Sequence, residues 1–171
     1  MELQGAAYLY AVATVSITFV GFAALLIVIR QSLGGELTAY DTYFTLSFIQ
    51  AGFIVTASAL VPPLLALYGW SEDVVWRVSS VATAAAILGF VVGVPGRRRA
   101  ATGGPMPLFV GALLSLQAAA GGALLLNAAR LFGDRGAAVY GSALTAMLFA
   151  SGVAYVLALN VIFPELTGRT K

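Results

Sequence analysis

AAYLYAVATVSITFVGFAALLIVI, residues 6–29, is a predominantly apolar stretch without a single charged side chain. An α-helix rises 1.5 Å per residue, so about 20 such residues cross a hydrocarbon layer about 30 Å thick. Four more apolar stretches follow between short polar breaks, and the predicted spans cover about 6–29, 42–67, 74–94, 106–129 and 137–163. The sequence therefore predicts an all-α integral membrane bundle of five transmembrane helices.

The composition predicts one transmembrane domain over residues 1–171 and disfavours several chemistries. Only 9% of the residues are charged and 60% are hydrophobic, which leaves too few polar side chains for a water-facing surface. The chain has no His and no Cys, so it lacks the commonest metal ligand, the usual general base and thiolate chemistry. We therefore expect no metal, no cofactor, no enzymatic activity and, without a basic face, no nucleic-acid partner.

The basic residues of the loops predict the orientation of the chain. With the N-terminus outside, six Lys and Arg side chains lie on the inner side and three on the outer side. Because loops rich in Lys and Arg stay in the cytoplasm, the sequence predicts N-out/C-in. The run Arg97, Arg98 and Arg99 supplies most of the difference, and we interpret it as an anchor for anionic lipid headgroups. A dedicated ligand or partner site at the same run is the alternative.

Mildly polar residues within the spans are the candidates for a pore or a polar seam. The candidates are Thr14, Thr18, Thr45, Gln50, Thr56 and Gln117. In one interpretation the threonine hydroxyls bond to carbonyls of their own helix and the glutamine near the centre of helix four bridges two helices. In the other, several subunits bring such seams together around an axis and line a narrow polar path.

Prolines mark two breaks in the predicted helices. Pro62 and Pro63 lie inside helix two, where proline removes an amide donor and clashes with the preceding turn, so we expect a packing kink or a functional hinge. The carbonyls that these prolines free need another partner inside a membrane. The Pro95–Gly96 pair is predicted to end helix three.

Local charge and capping signals predict details at the helix ends. Thr38 or Asp41 is expected to cap the N-terminus of helix two. Arg77 lies about one turn into helix three, where it can snorkel to the interface. We expect it to pair with Glu72 or Asp73 across the first turn.

Small residues form stripes on three of the predicted helices. Lipid gives no hydrophobic reward for helix contact, so helices pack where small residues let their backbones approach. The glycines predicted to pack helices together are Gly89, Gly93, Gly111, Gly122, Gly141 and Gly152. These stripes favour self-association, and packing within one chain explains them equally well.

Several segments resemble a group of small bacterial inner-membrane proteins that have no assigned activity. The segments are SITFVGF (16–22), RQ (30–31) followed by GG (34–35), VPPL (61–64), WRVSS (76–80) and the triple arginine. The resemblance implies a multi-pass protein of the bacterial inner membrane and assigns no functional residue.

Two functions fit these observations. The first is a small oligomeric channel or facilitator for an ion or a small solute, with the lipid bilayer and further copies of the chain as its partners. The second is a non-transporting accessory or assembly subunit that packs its small-residue stripes against a larger membrane complex. No carboxylate lies near the centre of a predicted span, which disfavours proton-driven transport.

Overall fold

The computed structural model describes residues 3–32, 38–104 and 106–162. Its helices are α1 (Ala6–Ser32), α2 (Ala39–Leu67), α3 (Glu72–Thr102), α4 (Leu108–Ala128) and α5 (Gly136–Ile162), and a 3-10 turn at Gly133–Arg135 precedes α5. Each of these five α-helices is long and apolar enough to cross a membrane. The prediction of an all-α, multi-pass membrane chain is confirmed.

The helices form a bundle in which each packs against the next along the chain. Short connections make such neighbours antiparallel. Helix α5 also packs against α1, α2 and α3, and so closes the bundle. The largest fully buried side chains in its centre include Leu9, Val55, Ile87, Leu124, Tyr140, Leu144 and Met147.

Polarity is inverted relative to a water-soluble bundle. Large apolar side chains face outward, and Leu67, Val92 and Leu108 are among the most exposed. The interior instead holds buried polar side chains, including Ser16, Ser58, Ser79, Ser80, Thr83, Asn127 and Ser151. In lipid an outward apolar residue costs nothing, whereas a polar group needs a partner inside the protein. The distribution therefore suits a bilayer as the solvent.

Helix α3 runs further than the sequence suggested. The prediction that Pro95–Gly96 ends this helix is wrong, because α3 continues through the triple arginine to Thr102. Arginine and alanine are strong helix formers, so the segment after the proline propagates the helix. Gly103 then ends it with a left-handed φ of 63°, and its N–H donates to the Arg99 carbonyl at 3.0 Å.

Helix α2 begins three residues before its predicted start because a capping box closes its first turn. The Asp41 N–H donates to Thr38 Oγ1 at 3.1 Å, and the Thr38 N–H donates to Asp41 Oδ2 at 2.9 Å. These two bonds satisfy amides that a helix start otherwise leaves open. Thr38 is thus the N-cap, as one of the two predicted alternatives had it.

Pro62 and Pro63 are buried inside a helix that stays continuous around them. Pro62 has no N–H to offer to the carbonyl four residues earlier, which belongs to Ser58. Tyr140 of α5 supplies the missing donor, because its hydroxyl donates to the Ser58 carbonyl at 2.6 Å. Thr83 of α3 lies 2.7 Å from the same hydroxyl. Three helices therefore meet at the backbone group that the proline frees, while the hinge stays a prediction.

Near the same end of the bundle, the expected pairing of Arg77 is wrong. Its Nε donates to the Ala128 carbonyl at 3.2 Å, a helix-end group that α4 leaves unbonded. Asp73 forms an ion pair with Arg130 instead. Glu72 accepts a bond of 3.2 Å from Trp76 Nε1. The end carbonyls of α4 thus compete successfully with the acidic residues for the Arg77 guanidinium.

Two of the glycines at close helix contacts, Gly52 and Gly121, are not among the six that the sequence predicted. A Cβ at Gly52 would overlap Val20 of α1, and one at Gly121 would lie 2.9 Å from Leu88 of α3. Among the predicted glycines, Gly141 lies against Tyr8, at 3.1 Å from the site of a Cβ. A Cβ added to four others would meet nothing within 4 Å in the described part of the chain; these are Gly89, Gly111, Gly122 and Gly152. The three atoms nearest to a Cβ at Gly93 all belong to the Arg97 side chain of the same helix. The helix-packing role of these five glycines stays a prediction.

Candidate binding cavity

A cavity of about 110 Å³ lies between α2, α3, α4 and α5. It sits at the end of the bundle where α3 and α5 finish and where α2 and α4 begin. We call it the Arg98 cavity, and its walls include Tyr40, Phe44, Phe90, Arg98, Phe109 and Gln117. At this end a group can approach from the headgroup level of a membrane and meet both polar and apolar side chains.

Aromatic rings at helical spacing build one wall of the Arg98 cavity. Tyr40, Phe44 and Phe48 follow one another at intervals of four, which places them on one face of α2. Their rings support each other, with 6.3 Å between the centroids of Tyr40 and Phe44. Tyr155 of α5 backs the wall, 4.4 Å from Phe48 and 6.5 Å from Phe44. Phe90 and Phe109 continue the apolar lining from α3 and α4.

Two polar side chains face this apolar wall without full partners. Arg98 Nε and Gln117 Oε1 are buried and have no hydrogen-bond partner among the described residues. Gln117 is only 5% exposed, and its Nε2 donates to Ser151 Oγ at 3.4 Å, near the upper limit for a hydrogen bond. Leaving a buried polar atom unsatisfied costs about 1–3 kcal/mol, and more for a charged group. Each of the two side chains therefore carries a polar atom whose hydrogen-bonding capacity the described residues leave unused.

The three arginines of the run have different surroundings because successive helical residues point about 100° apart. Arg97 donates to Gln50 Oε1, and its guanidinium lies 5.5 Å from the centre of the Phe90 ring. Arg98 lines the cavity. Arg99 is exposed. The lipid-headgroup anchor predicted for the three arginines stays a prediction. The structure adds that Arg98, unlike Arg97 and Arg99, lines the cavity.

The predicted threonine seam is not formed between α1 and α2 of one chain. Thr14 and Thr18 are exposed and donate to carbonyls of their own helix, Tyr10 O at 2.9 Å and Thr14 O at 2.7 Å. The two helices meet instead where Ser16 Oγ donates to the Gly52 carbonyl at 2.9 Å. The first interpretation of these hydroxyls, bonding within the helix, matches their geometry.

The remaining seam candidates are dispersed. Thr45 is buried in α2, and Thr56 has a buried hydroxyl with no partner among the residues that the structure describes. Gln50 is held by Arg97. Gln117 alone among the six candidates lines the Arg98 cavity.

Sequence reasoning missed the cavity although two signals were present. Aromatic residues repeat every four positions at the start of helix two, a spacing that places their rings on one face of the helix. Ending helix three at Pro95 also placed Arg98 in a loop, whereas the helix turns its side chain toward the bundle. The inward arginine becomes visible once the helix is extended to Thr102.

Two further clefts have side chains that are largely bonded within the protein. A groove between α1, α4 and α5 surrounds Tyr8, whose hydroxyl bonds to that of Thr145. A polar cleft at the far end of the bundle holds Asp73, Arg77 and Arg130, which are all paired as described above. Of these three, the Arg98 cavity is the one in which the described residues combine a buried arginine atom without a partner and a phenylalanine-lined wall, so it is the better candidate.

Comparison with protein-family models, with curated proteins and with solved structures finds no match to this chain. The resemblance to a group of bacterial inner-membrane proteins therefore has no family assignment behind it. The chemistry of the Arg98 cavity rests on its own residues.

Proposed function

We propose that this protein binds an amphipathic organic anion from within the membrane, in the Arg98 cavity. The observation that carries the proposal is the Arg98 guanidinium at a phenylalanine-lined cavity, with a buried Nε that has no partner in the described structure. A guanidinium matches carboxylate and phosphate groups through paired hydrogen bonds. Ring-lined walls take up the apolar body of such a ligand.

The size of the cavity limits the ligand. Its volume is about 110 Å³. An engineered cavity of about 150 Å³ in another protein holds one benzene molecule. The inserted part of the ligand is therefore no larger than roughly one six-membered ring or a short alkyl segment. A small organic acid satisfies this limit, and so does the short end of an anionic lipid.

Two charge-matched variants test the role of Arg98. Binding of radiolabelled benzoate to the purified protein in detergent is compared with binding of benzyl alcohol, a neutral molecule of similar shape. Loss of a charge-assisted hydrogen bond costs about 1.5–3 kcal/mol, so we expect Arg98→Gln to weaken benzoate binding by about 10- to 150-fold. Arg99→Gln removes the same charge from an exposed position and is expected to leave the affinity within about twofold.

The proposal is wrong if both variants bind benzoate equally, or if benzyl alcohol binds as tightly as benzoate. A second arm separates the two sources of the anion. Phosphatidylglycerol and phosphatidylcholine are added in turn as competitors, and displacement by the anionic lipid alone points to a lipid headgroup as the natural ligand.

A small oligomeric channel or facilitator is the second candidate. The specific observation in its favour is that Thr14 and Thr18 face outward from a single chain, where side chains lining an axis between copies must lie. Flux of small solutes into liposomes is expected to change for Thr18→Leu and to stay unchanged for Ile17→Leu, a neighbouring exposed position. A monomer in mild detergent without flux, co-purifying with a defined protein, supports the accessory-subunit alternative instead.

We also propose that the chain lies in the bacterial inner membrane with its N-terminus outside and its C-terminus inside. The excess of Lys and Arg at the ends of α1 and α3 and the resemblance given above support this placement. The Arg98 cavity then opens at the cytoplasmic end of the bundle, where Arg97 and Arg99 also attract anions toward it.

A further inference from the structure

Two clefts outside the Arg98 cavity are continuous with each other. The first, which we call the Tyr8 groove, lies between α1, α4 and α5 and has a volume of about 760 Å³. The second, the Arg130 cleft, has a volume of about 310 Å³ and lies at the end of the bundle where α3 begins and α4 ends. Gln4, Trp76 and Ala137 line both of them. A groove on the side of the bundle therefore leads directly into a charged cleft at its end.

The Tyr8 groove has the position and the length of one lipid acyl chain. Its rim includes Tyr8, Leu116 and Phe149, whose exposed side chains place it on the lipid-facing surface. The twelve positions from Ala137 to Phe149 on α5 rise about 18 Å, slightly more than half of a hydrocarbon layer about 30 Å thick. The groove thus extends from the membrane surface through one leaflet. Small side chains of α5 form its floor: Ala137, Ala138, Gly141, Ser142, Thr145 and Ala146.

Trp76 lies at the junction of the two clefts. Its buried side chain lines both of them, and its Nε1 donates to Glu72 at 3.2 Å. Tryptophan prefers the boundary between hydrocarbon and headgroups, because one part of its ring system is apolar and its N–H is polar. The junction therefore lies where the acyl chain of a lipid meets its headgroup.

The Arg130 cleft presents charges of both signs. Two arginines and three acidic residues line it, namely Arg77, Arg130, Glu72, Asp73 and Asp134. An anionic headgroup meets repulsion from the carboxylates, whereas a headgroup with a phosphate and an ammonium finds an opposite charge for each of its groups. The cleft therefore matches a zwitterionic headgroup better than an anionic one.

These charged side chains are accessible to a headgroup. The side chains of Arg130 and Asp73 are 61% and 46% exposed, and an ion pair this exposed contributes little to stability, so a ligand exchanges it readily. Arg77 bonds to α4 through Nε, which leaves its two terminal nitrogens without a partner among the described residues. The exposed carboxylate of Asp134 likewise has no partner in the described part of the chain.

We propose that the Tyr8 groove and the Arg130 cleft together bind a zwitterionic phospholipid with a primary ammonium group, such as phosphatidylethanolamine. One acyl chain lies in the groove, the phosphate accepts hydrogen bonds from Arg77 and Arg130, and the ammonium donates to Asp134. A primary ammonium carries three N–H donors, whereas the methylated ammonium of phosphatidylcholine carries none. The site therefore selects for the amine as well as for the phosphate.

Native mass spectrometry of the full-length protein in detergent tests the headgroup. Phosphatidylethanolamine, phosphatidylcholine and phosphatidylglycerol with the same acyl chains are added separately. We expect the first to bind about fivefold or more tightly than the other two, because it alone forms charge-assisted hydrogen bonds at both ends of the headgroup. Arg130→Gln is expected to weaken its binding about 10-fold. Arg135→Gln removes the same charge from an exposed position outside the cleft and is expected to leave the affinity within about twofold.

A second pair of variants tests the groove. Ser142→Phe fills the groove floor at an exposed position and is expected to weaken phosphatidylethanolamine binding about 10-fold. Ser115→Phe makes the same change at an exposed position of α4 outside the groove and is expected to bind like the wild type. Circular dichroism during heating checks that the variants are folded. If Ser142→Phe fails to fold, Ala138→Leu replaces it, since Ala138 is also exposed on the groove floor.

Equal binding of the three lipids by the wild-type protein overturns the proposal. Binding that survives both Arg130→Gln and Ser142→Phe also overturns it. A dimer that Ser142→Phe dissociates, without a preferred lipid, assigns the groove to a second copy of the chain and overturns it as well. These outcomes leave the Arg98 cavity untouched, because the two sites share no lining residue within the described part of the chain.

Discussion

Tyr140 is the residue through which the bundle accommodates a proline. It is completely buried, its ring lies 5.5 Å from that of Trp76, and its hydroxyl serves the Ser58 carbonyl. The carbonyl is the one that Pro62 leaves without a helical donor. The buried carbonyl is therefore satisfied although α2 carries a proline, because a side chain of another helix supplies the missing hydrogen bond.

Tyr140→Phe is expected to lower the free energy of unfolding by about 1–3 kcal/mol, since it leaves the Ser58 carbonyl buried and unbonded. Thermal unfolding in detergent, followed by circular dichroism, measures the effect. Tyr68→Phe is the matched control, because Tyr68 is 75% exposed and is expected to tolerate the change.

A double-mutant cycle distinguishes this explanation from a simple loss of packing. Pro62→Ala restores an amide donor in α2, so Tyr140→Phe is expected to cost less in that background than in the wild type. An equal cost in both backgrounds contradicts the link between Pro62 and Tyr140.

At the scale of the helices, Gly52 and Gly89 give opposite expectations for the same substitution. Gly52→Ala places a methyl group against Val20 at the α1–α2 contact, and overpacking of this kind costs about 1–3 kcal/mol. Gly89→Ala meets open space in the described structure and removes a flexible residue from the middle of α3, which stabilises a helix by about 0.5–1 kcal/mol.

Unfolding in detergent of the two glycine variants checks these signs. A destabilising Gly89→Ala, together with a smaller assembly in native mass spectrometry, contradicts the expectation for an isolated chain and assigns Gly89 to a contact between copies. Comparing the Gly52→Ala and Gly89→Ala variants therefore also tests the self-association that the small-residue stripes favour.

The helices were predictable and their contacts were not, for physical reasons. A span depends on about 20 consecutive apolar residues, which is a local property that the sequence displays directly. Which glycine meets a neighbour depends on how each helix is rotated about its axis, and spacing alone does not determine that rotation. The sequence stripes therefore included Gly141 and omitted Gly52 and Gly121.

The candidate site was predictable only in part for the same reason. Gln117 attracted attention as a polar residue at the middle of a span, and the structure places it in the Arg98 cavity. The cavity itself arises from the mutual positions of four helices. Arg98 differs from Arg97 and Arg99 only in its direction on α3, so no pattern in the run singled it out.

At the scale of the whole molecule, the proposed orientation is testable because the chain has no native cysteine. We expect Gln4→Cys to react with a membrane-impermeant maleimide in intact bacteria, and Ala100→Cys to react only after lysis. Both positions are exposed at opposite ends of the bundle. The reverse labelling pattern places the Arg98 cavity on the outer side and overturns the proposed orientation.

The unbroken course of α3 through Pro95 has a consequence for evolution of the cavity. Three identical cations occupy successive positions on one rigid rod, so loss of one residue upstream rotates the run by about 100° and moves each arginine into the place of its predecessor. Arg99 would then stand where Arg98 stood, and a guanidinium would still face the rings. The repetition gives this end of the bundle a tolerance to register slippage that a lone basic residue lacks.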